Sequence, residues 1–149
     1  MSETRFTRRR FLQTLPMIAG AALLSRGVSF GAAQTASWIP IGKASDFPKG
    51  AVKRVTLPPT LNSEVIYVTH QANDTYLALW ARCTHRGCVV DYNQPDQQYI
   101  CPCHHGRFDT LGRNISGPPP RPLVLLNTQV DKSGNLSVQP PPANMPAGR

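Results

Sequence analysis

All four cysteines of the chain lie in a 21-residue window, Cys83 to Cys103, and no other feature limits its folding as much. They fall in two boxes, Cys83-Thr84-His85-Arg86-Gly87-Cys88 and Cys101-Pro102-Cys103-His104-His105-Gly106. Cys83 and His85 from the first box, with Cys101 and His104 from the second, give Cys-x-His, fifteen residues, then Cys-x-x-His. Thiolate and imidazole are soft to borderline donors. The set suits zinc or an iron–sulfur centre and excludes calcium and magnesium, which take oxygen ligands. Each box follows an extended segment, so two hairpin loops would converge on one metal centre. A Cys2His2 zinc site uses the same ligand types with similar local spacing. Two disulfides would also use the four cysteines, but would leave His85 and His104 idle.

The surrounding sequence reads as strands. Glu64 to His70, the turn Gln71 to Asp74, and Thr75 to Trp80 make one hairpin. Val89 to Tyr92, the turn Gln94-Pro95-Asp96, and Gln98 to Ile100 make a second. Leu123 to Val130, the turn Asp131 to Gly134, and Leu136 to Val138 make a third. No segment after Ala33 carries a useful 3.6-residue apolar period, and 15 prolines argue against a helical bundle. The expected fold is all-β, a small antiparallel sandwich or barrel spanning residues 34–140, followed by a disordered tail at 141–149. Gly117-Pro118-Pro119-Pro120-Arg121-Pro122 cannot sit in a central strand, because proline offers no N–H. His70, on a predicted strand, reads as an ordinary partly exposed residue. Adjacent His104 and His105 point apart, so one of them reaches a metal, and the spacing selects His104.

The first 33 residues read as an address. The formal net charge is +8, but Arg5, Arg8, Arg9, Arg10 and Arg26 against Glu3 supply half of it. The remainder lacks the dense basic stripe of a nucleic-acid binder. Thr7-Arg8-Arg9-Arg10-Phe11-Leu12-Gln13 is followed by the apolar run Leu15 to Leu24, the layout of a bacterial export signal. Arg8-Arg9 with Phe11-Leu12 resembles the twin-arginine signal, which implies a protein exported already folded, commonly with a cofactor inserted beforehand. Gly31-Ala32-Ala33 offers small residues for cleavage. The 15 uncharged residues between Arg10 and Arg26 are short for a permanent anchor, so a cleaved signal is expected, with a short anchor as the alternative. The implied location is the periplasm or the periplasmic face of the bacterial inner membrane.

Together these motifs closely resemble the Rieske iron–sulfur family. Its pattern of Cys-x-His, a similar gap, and Cys-x-x-His holds a 2Fe–2S cluster, with two Cys on one iron and two His on the other. The resemblance implies Cys83, His85, Cys101 and His104 as ligands of one such cluster. Cys88 and Cys103 match the loop disulfide of the branch found in cytochrome bc complexes and arsenite oxidase small subunits. Gly117 and Pro118 open a segment resembling the family's proline loop, which covers a side of the cluster. Gly87, His105, Gly106 and Phe108 complete the implied surroundings. The resemblance covers roughly residues 38–138.

The second box departs from the quinol-oxidising pattern Cys-Pro-Cys-His-Gly-Ser-x-Tyr. Gly106 and Phe108 stand where that branch has serine and tyrosine, and His105 stands where it has glycine. Hydroxyl donors stabilise the extra negative charge of the reduced cluster, so their loss implies a potential in the lower part of the Rieske range. Restoring them through Phe108→Tyr and Gly106→Ser is expected to raise it, provided His105 leaves room. The leading functional reading is an exported electron carrier, or a small subunit of a larger redox assembly, rather than a stand-alone catalyst. A Rieske subunit of a cytochrome bc-type quinol oxidase and the small subunit of an arsenite oxidase-like molybdoenzyme are the related alternatives. The implied partners are redox proteins: a cytochrome, a quinol-oxidising complex or a molybdoenzyme. A membrane is implied only through the N-terminus. A dioxygenase-type ferredoxin fits poorly, since that branch is cytoplasmic and lacks equivalents of Cys88 and Cys103. A zinc-stabilised binding module is the competitor from another class. It leaves the second cysteine pair, the export signal and the proline loop without a role.

Overall fold

The structure, a computed structural model, describes residues 37–143. The expected export signal at 1–33 and tail positions 144–149 lie outside the described residues. Eleven short strands follow in order: β1 (Ile39–Lys43), β2 (Val52–Thr56), β3 (Val65–His70), β4 (Tyr76–Trp80), β5 (Asp91–Asn93), β6 (Gln98–Ile100), β7 (Arg107–Phe108), β8 (Asn114–Ser116), β9 (Leu125–Leu126), β10 (Thr128–Val130) and β11 (Asn135–Val138). Helix among the described residues is confined to two 3-10 turns, Ala44–Asp46 and Pro59–Leu61. The all-β, antiparallel reading of the sequence is correct.

The strands form three sheets, of order β1-β11-β10, β2-β3-β4-β9 and β5-β6-β7-β8. The second is the middle layer, and its sequence explains why. Val65-Ile66-Tyr67-Val68 is buried at every position, although side chains alternate between faces of a strand. Val65 and Tyr67 join Leu79, Ala81, Val90, Tyr99, Phe108 and both free cysteines in one core. Ile66 and Val68 join Ala78, Trp80, Phe47, Leu136 and Val138 in the other. A strand apolar on both faces has to be covered on both.

The first two hairpins appear where the sequence places them, as β3–β4 and β5–β6. The third differs. Leu123 to Val130 does not run as one strand: β9 pairs with β4 in the middle sheet, whereas β10 pairs with β11 in the outer one. Leu126 is drawn into the core around Trp80, and Asn127 marks the change of sheet, holding Gln139 through its carbonyl and its side chain. At the end of the described residues, Pro141, Pro142 and Ala143 line a cavity of about 450 Å³ with Trp80, Arg82 and Glu64.

One phenol ties the middle sheet to the sheet that carries the second box. The buried Tyr67 hydroxyl donates to the Val90 carbonyl and accepts from the Tyr92 N–H, both at 3.2 Å. Removing it strands a buried carbonyl and weakens the entry to β5. Tyr67→Phe is therefore expected to cost about 1–2 kcal/mol, read by urea denaturation of the whole protein.

Candidate metal centre

Both boxes are hairpin loops with the same backbone closure. In the first, the Cys83 N–H donates to the Cys88 carbonyl and the Gly87 N–H to the Cys83 carbonyl, each at 2.8 Å. In the second, the Cys101 N–H donates to the Gly106 carbonyl at 2.8 Å and the His105 N–H to the Cys101 carbonyl at 2.9 Å. Arg82 and Val89 close the base of the first loop, and Ile100 and Arg107 that of the second. The closure demands a left-handed residue at the fifth position. Gly87 supplies it with φ 75°, and His105 adopts it with φ 55°. A side chain there costs roughly 1–2 kcal/mol relative to glycine's freedom, which histidine tolerates better than most residues.

The loops bring the expected donors together. Cys83 and Cys101 are unpaired thiols, each only 2% exposed. The His85 and His104 rings meet edge to face, 4.8 Å apart. His85 Nδ1 is buried without a hydrogen-bond partner, a state that costs on the order of 1–3 kcal/mol unless something fills the lone pair. Burial pushes the Cys83 thiol up, as does the neighbouring Cys101, while the His85 and Arg86 N–H groups pull it down. Two adjacent buried thiols and an orphaned imidazole nitrogen are a donor set that a thiophilic cation satisfies. A 2Fe–2S cluster fits these residues.

Cys88 and Cys103 are joined as a disulfide across 15 residues of sequence, with Cα atoms 6.6 Å apart. Their sulfurs and that of Cys101 all lie within 4.8 Å of one another, so the bridge clamps the loops beside a candidate thiolate. Bonded to each other, Cys88 and Cys103 are unavailable as ligands. Closing a loop of this length is worth about 3 kcal/mol. Below the first loop, Glu64 accepts from the Trp80 indole at 2.9 Å and pairs with the Arg82 guanidinium, fixing the residue that precedes Cys83.

The proline segment closes a third side. The buried Thr84 hydroxyl donates to the Arg121 carbonyl at 2.6 Å, and the Asn114 amide to the Pro119 carbonyl at 2.7 Å. Gly117, at φ 91°, lies so close to the second box that a Cβ on it would meet Gly106 Cα at 2.8 Å. A Cβ on Gly106 would meet Pro119 Cγ at 2.5 Å. That changes one expectation: the room for Gly106→Ser is closed by Pro119, not by His105. Pro118, singled out from the sequence, is exposed, and Pro119 is the buried proline.

Thr84 and Asn114 were not legible as parts of the centre, whereas Pro119 lies in the proline segment that the sequence already offered as its cover. Thr84 occupies the free position of Cys-x-His, where only its buried hydroxyl gives it a task. The left-handed backbone of His105 had a signal, since superposing Cys83 on Cys101 places Gly87 over His105. His70 lies elsewhere, donating its Nδ1–H to the Phe47 carbonyl at 2.9 Å and stacking on Tyr76, as an ordinary structural histidine does.

A family model, the Rieske [2Fe-2S] domain, matches residues 37–136. The chain is 35% identical over 88 residues to the chloroplastic cytochrome b6-f complex iron-sulfur subunit of Arabidopsis thaliana, covering 57% of this chain and 38% of that one. It is 34% identical over 93 residues to the cytochrome b6-f complex iron-sulfur subunit of Chlorobaculum thiosulfatiphilum, covering 62% and 49%. The chain thus spans less than half the length of these two relatives. The plasma membrane Rieske protein of Synechocystis PCC 6803 superposes with a TM-score of 0.54 at 26% identity, over 68% of this chain and 98% of that one. The soluble domain of Rieske protein II from Sulfolobus acidocaldarius gives 0.57 at 18% identity, over 69% and 77%, a likeness of fold.

Replacing His105 by glycine relieves the left-handed strain and adds some unfolded-state entropy. The net effect expected is a gain of about 0.5–1 kcal/mol, seen as a thermal midpoint a few degrees higher. A loss of similar size would mean that the His105 side chain makes a stabilising contact.

Proposed function

The chain belongs to the Rieske [2Fe-2S] domain family, and from that premise we propose that Cys83, His85, Cys101 and His104 hold a 2Fe–2S cluster through which the protein passes single electrons. It works as an exported carrier or as a small subunit of a larger redox complex. The observation that carries this reading is the unpartnered, buried Nδ1 of His85 in the same loop as the buried, unpaired Cys83. When bound, the cluster supplies a one-electron couple of higher potential than an all-cysteine 2Fe–2S centre, because neutral imidazoles replace two thiolates.

The chain's own residues divide the remaining work. Cys83 and Cys101 anchor the buried end and keep water from it. His104 is exposed and His85 half-buried, so their outer edges are where a partner's redox group approaches. The Cys88–Cys103 bridge, the Thr84–Arg121 bond and Pro119 against Gly106 hold the loops in one geometry, so little need rearrange on electron transfer.

A place in a quinol-oxidising cytochrome complex is the neighbouring reading, favoured by the names of the b6-f relatives. The twin-arginine-like N-terminus supports assembly before export and work in the periplasm or at the periplasmic face of the inner membrane.

The intact protein is expected to be coloured, with a broad visible spectrum and a Rieske-type EPR signal on reduction. His85→Ala and His104→Ala should lose both, whereas His70→Ala and His105→Ala should keep them. A colourless, zinc-loaded wild type would overturn the proposal.

The midpoint potential is expected in the lower part of the ~−150 to +300 mV range. Phe108 is fully buried in the core that includes Cys83 and Cys101, opposite Tyr99 in the β6–β7 pair. Phe108→Tyr would introduce one hydroxyl there. A bond worth about 1 kcal/mol more to the reduced state corresponds to roughly 40–50 mV, so film voltammetry should show a rise of that order. A fall would overturn the argument that a missing hydroxyl at this position lowers the potential.

A further inference from the structure

We propose that the tip of the molecule is a cationic collar that docks the acidic face of a partner redox protein, anchored by Arg86 and Arg121. The proposal rests on the reading that electrons leave through the His85 and His104 edges. Three segments build the tip: residues 83–88, 101–108 and 117–122. They contain Arg86, Arg107 and Arg121, and no Asp or Glu. Elsewhere among the described residues Lys49 pairs with Asp74, Arg82 with Glu64 and Arg113 with Asp109, while Lys43, Lys53, Arg54 and Lys132, which have no carboxylate partner either, lie outside the three tip segments. At the tip, Arg107 reaches Asp96 at 3.8 Å and Gln98 at 3.2 Å. Arg86 and Arg121 are exposed and, among the described residues, have no carboxylate partner.

Both flank the same imidazole. Arg86 follows His85 in sequence, and the Arg121 carbonyl is bonded to the hydroxyl of Thr84, which precedes it. Arg121 sits between Pro120 and Pro122, so its backbone is pre-set and docking orders little more than its side chain. Exposed Pro102, Pro118, Pro120 and Pro122 offer apolar contact without N–H groups to desolvate. Exposed charges around such a surface speed encounter more than they tighten the complex. Fast arrival and fast release are what an electron carrier needs, and the sign of the collar selects an anionic partner.

The test uses the reduced full-length protein and ferricyanide, which takes one electron from the reduced cluster and becomes ferrocyanide. The wild-type rate should fall about tenfold as ionic strength rises from low to high, because the attraction is screened. Arg86→Glu with Arg121→Glu should lose about tenfold at low salt. Lys43→Glu with Lys132→Glu, an equal charge change on the outer sheet across the middle layer, should lose less than about threefold. A deca-aspartate peptide should slow the wild type and the lysine control, and leave the arginine variant unaffected. Spectrum and potential are recorded for each variant. Equal losses in both pairs with intact spectra would overturn the collar alone. A protein without a Rieske spectrum would overturn the electron-transfer reading and the collar with it. Arginine-dependent capture by phosphatidylglycerol–phosphatidylcholine vesicles, with no effect of deca-aspartate, would overturn it in favour of a lipid surface.

Discussion

A hydrogen bond from the first cysteine of each box to the carbonyl five residues on decides where every other group of the centre can go. It turns two sequence stretches with different ligand spacing into the same loop twice. Because the loops share one backbone, the first cysteine of each occupies the same buried place at its root. The histidines fall at the third position of one loop and the fourth of the other, and their rings still meet edge to face. Hairpin loops cannot hold this arrangement alone, since nothing in their closure fixes one relative to the other. The disulfide, the Thr84 hydroxyl and the proline segment supply that fixation, each from a different side.

Behind the loops stands a sheet buried on both faces. Val65 and Tyr67 look toward the sheet bearing the second box, while Ile66 and Val68 look toward the outer sheet. The first box grows directly from the end of β4, through Ala81 and Arg82, so its position is inherited from the middle layer. The second box grows from the small sheet of β5 to β8, which has only two or three residues per strand. Such a sheet has little independent stability. It is held to the middle layer by Tyr67, Tyr99, Phe108 and the two buried cysteines of the shared core, so metal site and core are one packing problem.

The parts that were legible in the sequence are those whose chemistry or period is dense. Ligand types at fixed offsets announce the centre, and the β-branched run at β3 announces a strand. β7 and β9 have two residues each, too few for any period, and their pairing is decided by distant partners. Leu123 to Val130 looks continuous because no glycine or proline interrupts it, yet the burial of Leu126 and the bonds of Asn127 divide it between two sheets. Thr84 was illegible for another reason. Its role consists of one hydrogen bond, to a carbonyl 37 residues away in sequence.

The bare Cα at Gly106 links the shape of the tip to its electronics. A side chain there and the close seat of Gly117 and Pro119 compete for the same volume, so this chain has the seat and forgoes a hydroxyl donor. Reduction adds negative charge to the centre. Without the donor, less hydrogen bonding meets that charge. With the proline lid pressed against the loop, less water meets it either, and desolvation disfavours the more highly charged state. The two effects act in the same direction, toward a less oxidising couple. If the proposed ligands hold the cluster, sealing the centre with backbone and proline makes the chain hold its electron less tightly through the same contact.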